Sequence, residues 1–237
     1  MSETKALAGR VAVITGASRG IGAAVARRIA AEGAHVVLIA RTVGGLEEAD
    51  DAIRAEGGSA TLVPLDLAEL DRIDPLGPLL LERFGRLDIL VANAAILGTL
   101  GPLSHHDVKL WEEVFRVNVT ANWRLIRTLE PLLKLSDAGR AIFVTSGAAQ
   151  LAPAYWGAYA ASKAALEAMV RVWAAELART SVRVNLLNPG PIRTSLRAHA
   201  FPGEDPATLR PPDAIARTFV DLASPLCGRH GEIVAAY

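Results

Sequence analysis

RVAVITGASRGIGAAVARRIAAEG (residues 10–33) is the stretch that decides the fold. Its first six residues form a short run rich in β-branched side chains, and the run stops at Gly16. From Ile21 onward, IGAAVARRIAAEG spaces its apolar residues as a helix does. Between the two lies TGASRGIG (15–22), in which Gly16, Gly20 and Gly22 remove side chains where the backbone must turn sharply. A strand, a glycine turn and a helix, in that order, open a strand–helix–strand unit.

The same alternation continues outward. HVVLIA (35–40), ATLVPLD (60–66), LDILVANAA (87–95), RAIFVTS (140–146) and VRVNLLNPG (182–190) read as further strands, and LEEADDAIRAEG (46–57) reads as a polar helix. Strands that are apolar throughout and separated by helices imply a parallel sheet covered on both faces. The expectation is one doubly wound, Rossmann-like α/β domain over residues 1–237, with about seven strands. The proline-rich stretch FPGEDPATLRPP (201–212) is its irregular segment. In such a sheet ligands bind beyond the carboxyl ends of the strands. Gly16, Asp66, Asn93, Ser146 and Pro189 all fall there.

Composition narrows the function. Hydrophobic residues make up 51% and charged residues 21%, enough apolar content for a sizeable core. Twenty-five basic and 25 acidic residues cancel, which argues against a nucleic-acid or membrane-surface partner. The single cysteine, Cys227, excludes an internal disulfide and a cysteine metal cage. No apolar run approaches a membrane span, and MSETKALAG (1–9) lacks the apolar core of a secretory signal, so a cytoplasmic location is expected. His105 and His106 beside Asp107 diverge on a helix. No metal is expected there, and Ser104 with Asp107 reads as a capping box for the helix that carries Trp111.

The glycine turn suits a pyrophosphate, because the helix it opens offers free N–H groups and a partial positive charge. The second strand ends in Ala40 followed by Arg41, with no carboxylate to bond ribose hydroxyls. Arg41, with Arg19 in the turn, can pair with a 2′-phosphate. This favours NADP(H) over NAD(H), while leaving NAD(H) open.

A second motif carries the chemistry. In YWGAYAASKAAL (155–166), Tyr159 and Lys163 lie four apart on one helix face, whereas Tyr155 has no basic partner at that offset. A phenol with a pKa of about 10 is a poor acid–base until a cation stabilises its phenolate. Lys163 supplies the cation, and Ser146, ending the preceding strand, can bond the substrate oxygen. Tyr155 reads as a pocket or packing aromatic.

Taken with TGASRGIG, Asp66-Leu67, Asn93-Ala94-Ala95, Asn118 in FRVNVTAN, Ser146, YAASK and NPGPIRT (188–194), the chain resembles the short-chain dehydrogenase/reductase family along nearly its whole length. The resemblance implies a catalytic tetrad. Tyr159 would be the general acid in carbonyl reduction and the base in alcohol oxidation, and Lys163 would lower its pKa and hold the nicotinamide ribose. Ser146 would orient the substrate oxygen, and Asn118 would hold a water linking Lys163 to a proton relay. Cofactor contacts would come from the turn (Gly16, Ser18, Arg19, Gly20, Ile21, Gly22), from Arg41, and from Asp66 and Leu67 along the adenine. Asn93, Ala94 and Ala95 would line the cleft, with Pro189, Gly190, Ile192 and Thr194 beside the nicotinamide. A homodimer or homotetramer is the implied assembly. Two features depart from the family: Ala92 and Ala95 replace the Asn and Gly of its N-N-A-G, and the segment after Thr194 is short and broken by prolines, implying a small lid.

The implied activity is an NADP(H)-dependent interconversion of a carbonyl and an alcohol. A cofactor-binding sensor or scaffold with little turnover is the alternative, and the intact tetrad argues against it. An epimerase using the same Tyr–Lys pair would need a C-terminal substrate domain, for which 237 residues leave no room. Leu97, Leu151, Tyr155 and Trp156 are candidates for an apolar substrate pocket. A β-ketoacyl thioester, a steroid-like ketone, a sugar and a small xenobiotic carbonyl all stay open as substrates.

Overall fold

Side chains alternate between the two faces of a strand, and here both faces are apolar. The computed structural model describes residues 5–237; the first four residues of the MSETKALAG segment lie outside the described residues. Among the described residues, seven strands form one parallel sheet in the order β3-β2-β1-β4-β5-β6-β7. These are β1 (Val11–Thr15), β2 (His35–Ala40), β3 (Ser59–Pro64), β4 (Ile89–Ala92), β5 (Arg140–Val144), β6 (Arg183–Asn188) and β7 (Ile233–Ala235).

One face sends Ile14, Leu38, Val91 and Ile142 into a core closed by α1 (Gly20–Ala31), α2 (Val43–Ala55) and α9 (Asp213–Ala223), through Ile29, Ile53 and Phe219. The other sends Val13, Val37, Leu90 and Phe143 against α3 (Leu76–Phe84), α5 (Ala121–Lys134) and α7 (Gly157–Glu176), through Leu80, Leu129 and Val170. Large side chains as fully buried as Phe219, Ile29 and Phe143 contribute about 2 kcal/mol each. At the amino ends of the strands two buried charges are held by polar partners. Arg140 donates to the carbonyls of Ser224, Gly139, Ser181 and Pro225, and Asp88 accepts from Arg10, Arg86, Ser136 and the Val11 amide. The structural charges thus sit at one edge of the sheet and the cavity described below at the other.

The strand order reverses between β1 and β4, which opens a crevice beyond their carboxyl ends. α4 (Val108–Phe115) runs without a break through a π-helical turn, Arg116–Thr120, into α5. α6 (Ala148–Leu151) leads towards α7, and α8 (Ser195–Ala200) follows β6.

Some boundaries differ from the sequence reading. β4 ends at Ala92 because Asn93 leaves the ladder to bond β1. α2 begins at Val43, before the expected Leu46, since Gly45 lets it close on the turn; a Cβ there would sit 2.9 Å from the Ser18 Cβ. The cap of α4 is Asp107, whose carboxylate accepts from the Leu110 amide at 2.9 Å. Ser104 lies in a separate 3-10 turn (Leu103–His105), so the expected capping box is not formed.

The glycine turn is under the tightest steric constraint. A Cβ on buried Gly22 would fall 2.1 Å from the Gly16 carbonyl oxygen and 2.7 Å from Asn93 Nδ2. Backbone cannot yield cheaply there. Gly22→Ala is expected to lower stability by about 2 kcal/mol or more, read as a lower urea midpoint. An unchanged midpoint would mean that the turn has slack.

Candidate active site

The loops after β1, β4, β5 and β6 line a cavity of about 740 Å³ at the crevice. Its floor is the glycine turn. Gly16 and Gly20 have φ of +65° and +58°, a region that side chains disfavour. Arg19 sits at the N-cap of α1 in extended conformation and makes no side-chain cap bond, so the first-turn N–H groups keep their donors for an anion. Asn93 locks this floor to β4. Its side chain donates to the Thr15 carbonyl at 3.0 Å, while the Asn93 and Ala94 amides both donate to Thr15 Oγ1 at 3.0 Å. Ala95 does not need the freedom of the glycine it replaces, because it is not among the residues with positive φ. A narrow floor without side chains, donors at a helix start and a long trough fit a dinucleotide.

At one end of the trough lie Arg19, Arg41, Thr42, Asp66 and Leu67. Arg41 is exposed and approaches Asp66 Oδ2 at 3.7 Å. Asp66 is held in turn by its own Asx turn, accepting the Ala68 amide at 2.9 Å.

At the other end Ser146, Tyr159 and Lys163 converge on the cavity. Tyr159 is 6% exposed and Lys163 2% exposed. Burial drives the phenol up to about 12, with the Ser146 hydroxyl pulling the other way. The sequence reading placed this pKa below its ordinary value, and the geometry explains the difference. Lys163 Nζ lies 5.8 Å from the Tyr159 ring centroid and donates to the Val144 carbonyl at 2.8 Å. Burial also lowers Lys163 to about 8, against the charge of Glu167, which acts upward. Near neutral pH Tyr159 is therefore a neutral, protonated phenol.

Asn118 sits in the π-helical turn, fully buried. Its Oδ1 accepts the Ile96 amide at 2.9 Å, and its Nδ2 donates to the Ile96 carbonyl and to Ser162 Oγ, at 2.9 and 3.0 Å. Ser162 bonds onward to the Tyr159 carbonyl. Both amide protons are spent on protein, so this side chain clamps the loop after β4 to α7. The Asn118 carbonyl accepts from Asn122 Nδ2.

The remaining cofactor candidates line the cavity: Gly16, Ser18, Gly20, Ile21, Asn93, Ala94, Ala95, Pro189, Gly190, Ile192 and Thr194. Gly22 and Asn118 do not; each acts from behind, one by having no side chain and the other as a clamp.

The substrate candidates divide. Leu151 and Trp156 line the cavity. Leu97 does not, since it is packed behind, in the cluster with Ala148 and Tyr159. Tyr155 does not either. It is 63% exposed at φ +73°, its carbonyl accepts the Gly101 amide at 2.9 Å, and its side chain is not part of the cavity lining. Pro153, Leu196, Ala200 and Phe201 were missed, and they complete an apolar wall. Trp156 faces Phe201 at 5.5 Å and Tyr159 at 5.9 Å between ring centroids. Phe201 is braced by the Arg197 guanidinium, 3.7 Å from its ring centre, and Arg197 forks onto Glu204 at 2.6 and 2.7 Å. Glu167 was also missed. It repeats the Tyr159–Lys163 step once more, and that spacing could have found it. Among the described residues no group of three or more potential metal ligands occurs, and no helix is long and apolar enough to cross a membrane.

Comparison with known proteins agrees with this fold. The short chain dehydrogenase family profile matches residues 10–205. An uncharacterized oxidoreductase of Escherichia coli strain K12, YciK, is 39% identical over 216 residues, 90% of this chain and 85% of that protein. A protein from Shigella flexneri 2a strain 301, solved in complex with NADP, superposes with a TM-score of 0.94 at 36% identity, covering 99% of each chain. One from Escherichia coli CFT073, solved with NADPH, gives 0.92 at 36% identity, again over 99% of each chain. This chain belongs to the short-chain dehydrogenase family and is an oxidoreductase.

Proposed function

We propose that the protein interconverts a ketone or aldehyde and the corresponding alcohol with NADP(H), and that Tyr159 is its proton donor and acceptor. The observation that carries this reading is the buried, neutral phenol beside Ser146 and Lys163, in a trough that runs back to the glycine turn. In the bound cofactor the nicotinamide supplies or accepts the hydride. The chain does the rest. The glycine turn and the α1 N-terminus take the pyrophosphate. Ser146 orients the carbonyl oxygen, and Tyr159 gives that oxygen its phenolic proton as negative charge grows there. Lys163, still a cation near neutral pH, favours the phenolate left behind. In oxidation the same proton returns to Tyr159.

NADP(H) is supported by Arg41 directly after β2 and by Arg19 in the turn, and by the related proteins solved with NADP and NADPH. Asp66 lies 3.7 Å from Arg41, close enough to share the guanidinium yet too far for a tight bond, so a 2′-phosphate can compete for it. The substrate class follows from the wall. Trp156, Phe201, Leu196, Ala200, Leu151 and Pro153 make this end largely apolar, and the one charge beside them, Arg197, is paired with Glu204, which favours an aromatic or long apolar carbonyl over a sugar.

Tyr159→Phe is expected to cut NADPH-dependent turnover of an aromatic ketone by about 10³-fold or more and to leave NADPH affinity near that of the wild type. Tyr155→Phe should keep most of the turnover. If the two losses were equal, the assignment to Tyr159 would fail. Arg41→Ala should weaken NADPH about tenfold or more, followed by nicotinamide fluorescence, with NADH little changed. Equal losses for both cofactors would remove the phosphate role.

A further inference from the structure

Beyond the four groups that the sequence singles out, α7 buries one more charge on the same face. Tyr159, Lys163 and Glu167 follow one another at intervals of four, so all three project towards the carboxyl end of β5. Glu167 is 6% exposed, an unusual depth for a carboxylate in an otherwise apolar run of helix. Its Oε1 accepts the Thr145 hydroxyl at 2.7 Å. Thr145 directly precedes Ser146, and Lys163 bonds the carbonyl of Val144 directly before that. Two neighbouring helix positions therefore grip two neighbouring residues of the segment that delivers Ser146.

A buried carboxylate costs stability unless it is bonded and faces a cation. Thr145 supplies the bond and Lys163 the cation. Tyr159 and, one step beyond Glu167, the exposed Arg171 are the other titratable groups in this row. Lys109, Glu112, Glu113 and Arg116, on the segment that packs along α7, are all exposed, while Asn118 and Asn185 carry no charge. The countercharge for Lys163 thus comes from Glu167.

We propose that Glu167 is a positioning residue that keeps Lys163 protonated and, through the Thr145 hydroxyl, fixes Ser146 against the catalytic helix. The proposal rests on the proposed roles of Tyr159 and Lys163, but one of its tests does not require turnover. Glu167→Gln keeps an oxygen for Thr145 and removes only the charge. In protein labelled with ¹³C at lysine Cε, the Lys163 signal, identified by its loss in Lys163→Met, should titrate about one unit lower in Glu167→Gln than in the wild type. Glu167→Asp keeps the charge and should restore most of that midpoint, and it serves as the reference if the amide variant folds poorly. Because Lys163 then loses its proton at lower pH, the alkaline limb of kcat/KM for carbonyl reduction should move to lower pH by the same amount, with NADPH affinity unchanged at pH 6. A Lys163 midpoint in Glu167→Gln within about 0.2 unit of the wild type would overturn the proposal. A shifted midpoint in a protein with no carbonyl turnover would uphold the Glu167–Lys163 coupling and bring down the activity assigned to the site.

Discussion

Everything at this site depends on the seam where the strand order reverses. β1 and β4 are neighbours in the sheet, yet their following segments leave to opposite faces, one into α1 and the other towards α4. No connection crosses the gap between them, so the carboxyl edge opens there. The backbone at the seam has to be both thin and rigid. Gly16 and Gly22 supply thinness, for a side chain on Gly22 would run into the Gly16 carbonyl. Asn93 and Thr15 supply rigidity by tying the two strand ends with hydrogen bonds from both main chain and side chain.

Burial then does chemical work at the far end of the seam. Water would leave Tyr159 an ordinary phenol and Lys163 an ordinary ammonium. Inside, the two move apart, the phenol up to about 12 and the lysine down to about 8. Both shifts have one origin, since the charged form of each is the one that burial disfavours. The two shifts have opposite consequences for stability. Between about pH 8 and 10.5 the unfolded chain holds a proton on Lys163 that the folded chain has released, so this group adds stability as pH rises through that window. Tyr159 acts in the reverse sense above pH 10, where the folded chain keeps a proton that the unfolded chain gives up. Near neutral pH the folded protein carries the strain of a buried cation, and that cation is what a developing phenolate needs.

What could be read in advance followed from periodicity. Six strands and the glycine turn were legible, because apolar runs and punctuating glycines are local properties of the chain. That Tyr159, Lys163 and Ser146 come together at one cavity was legible for the same reason, by helical offset and by position at a strand end. The errors have a common cause in contacts made across the fold. Tyr155 lies four residues from Tyr159, as a shared helix face would require, yet it stands before α7 at φ +73° and points outward. Leu97 is apolar and close to the site but belongs to the packing behind it. Phe201 sits in a proline-rich stretch without a period, and the Trp156 ring and the Arg197–Glu204 pair hold it over the cavity. Asn118 was found by its place in a motif, while its work as a clamp depends on Ile96 and Ser162, 22 and 44 residues away.

The two ends of the cavity are held by different physics, and this separates what is general in the site from what is selective. The end that holds Tyr159 and Lys163 is fixed by buried hydrogen bonds from three elements: Asn118 to Ile96 and Ser162, Lys163 to Val144, and Thr145 to Glu167. Removing any one partner strands another buried polar group, at about 1–3 kcal/mol each, so this arrangement resists change. The apolar wall opposite is held by one partly exposed ion pair and by ring contacts. Such contacts are weaker, and apolar side chains exchange for one another at low cost when volume is kept. Substitutions between Ser195 and Arg210 can therefore reshape the apolar end of the cavity while Tyr159, the proposed proton donor, stays where α7 and β5 hold it.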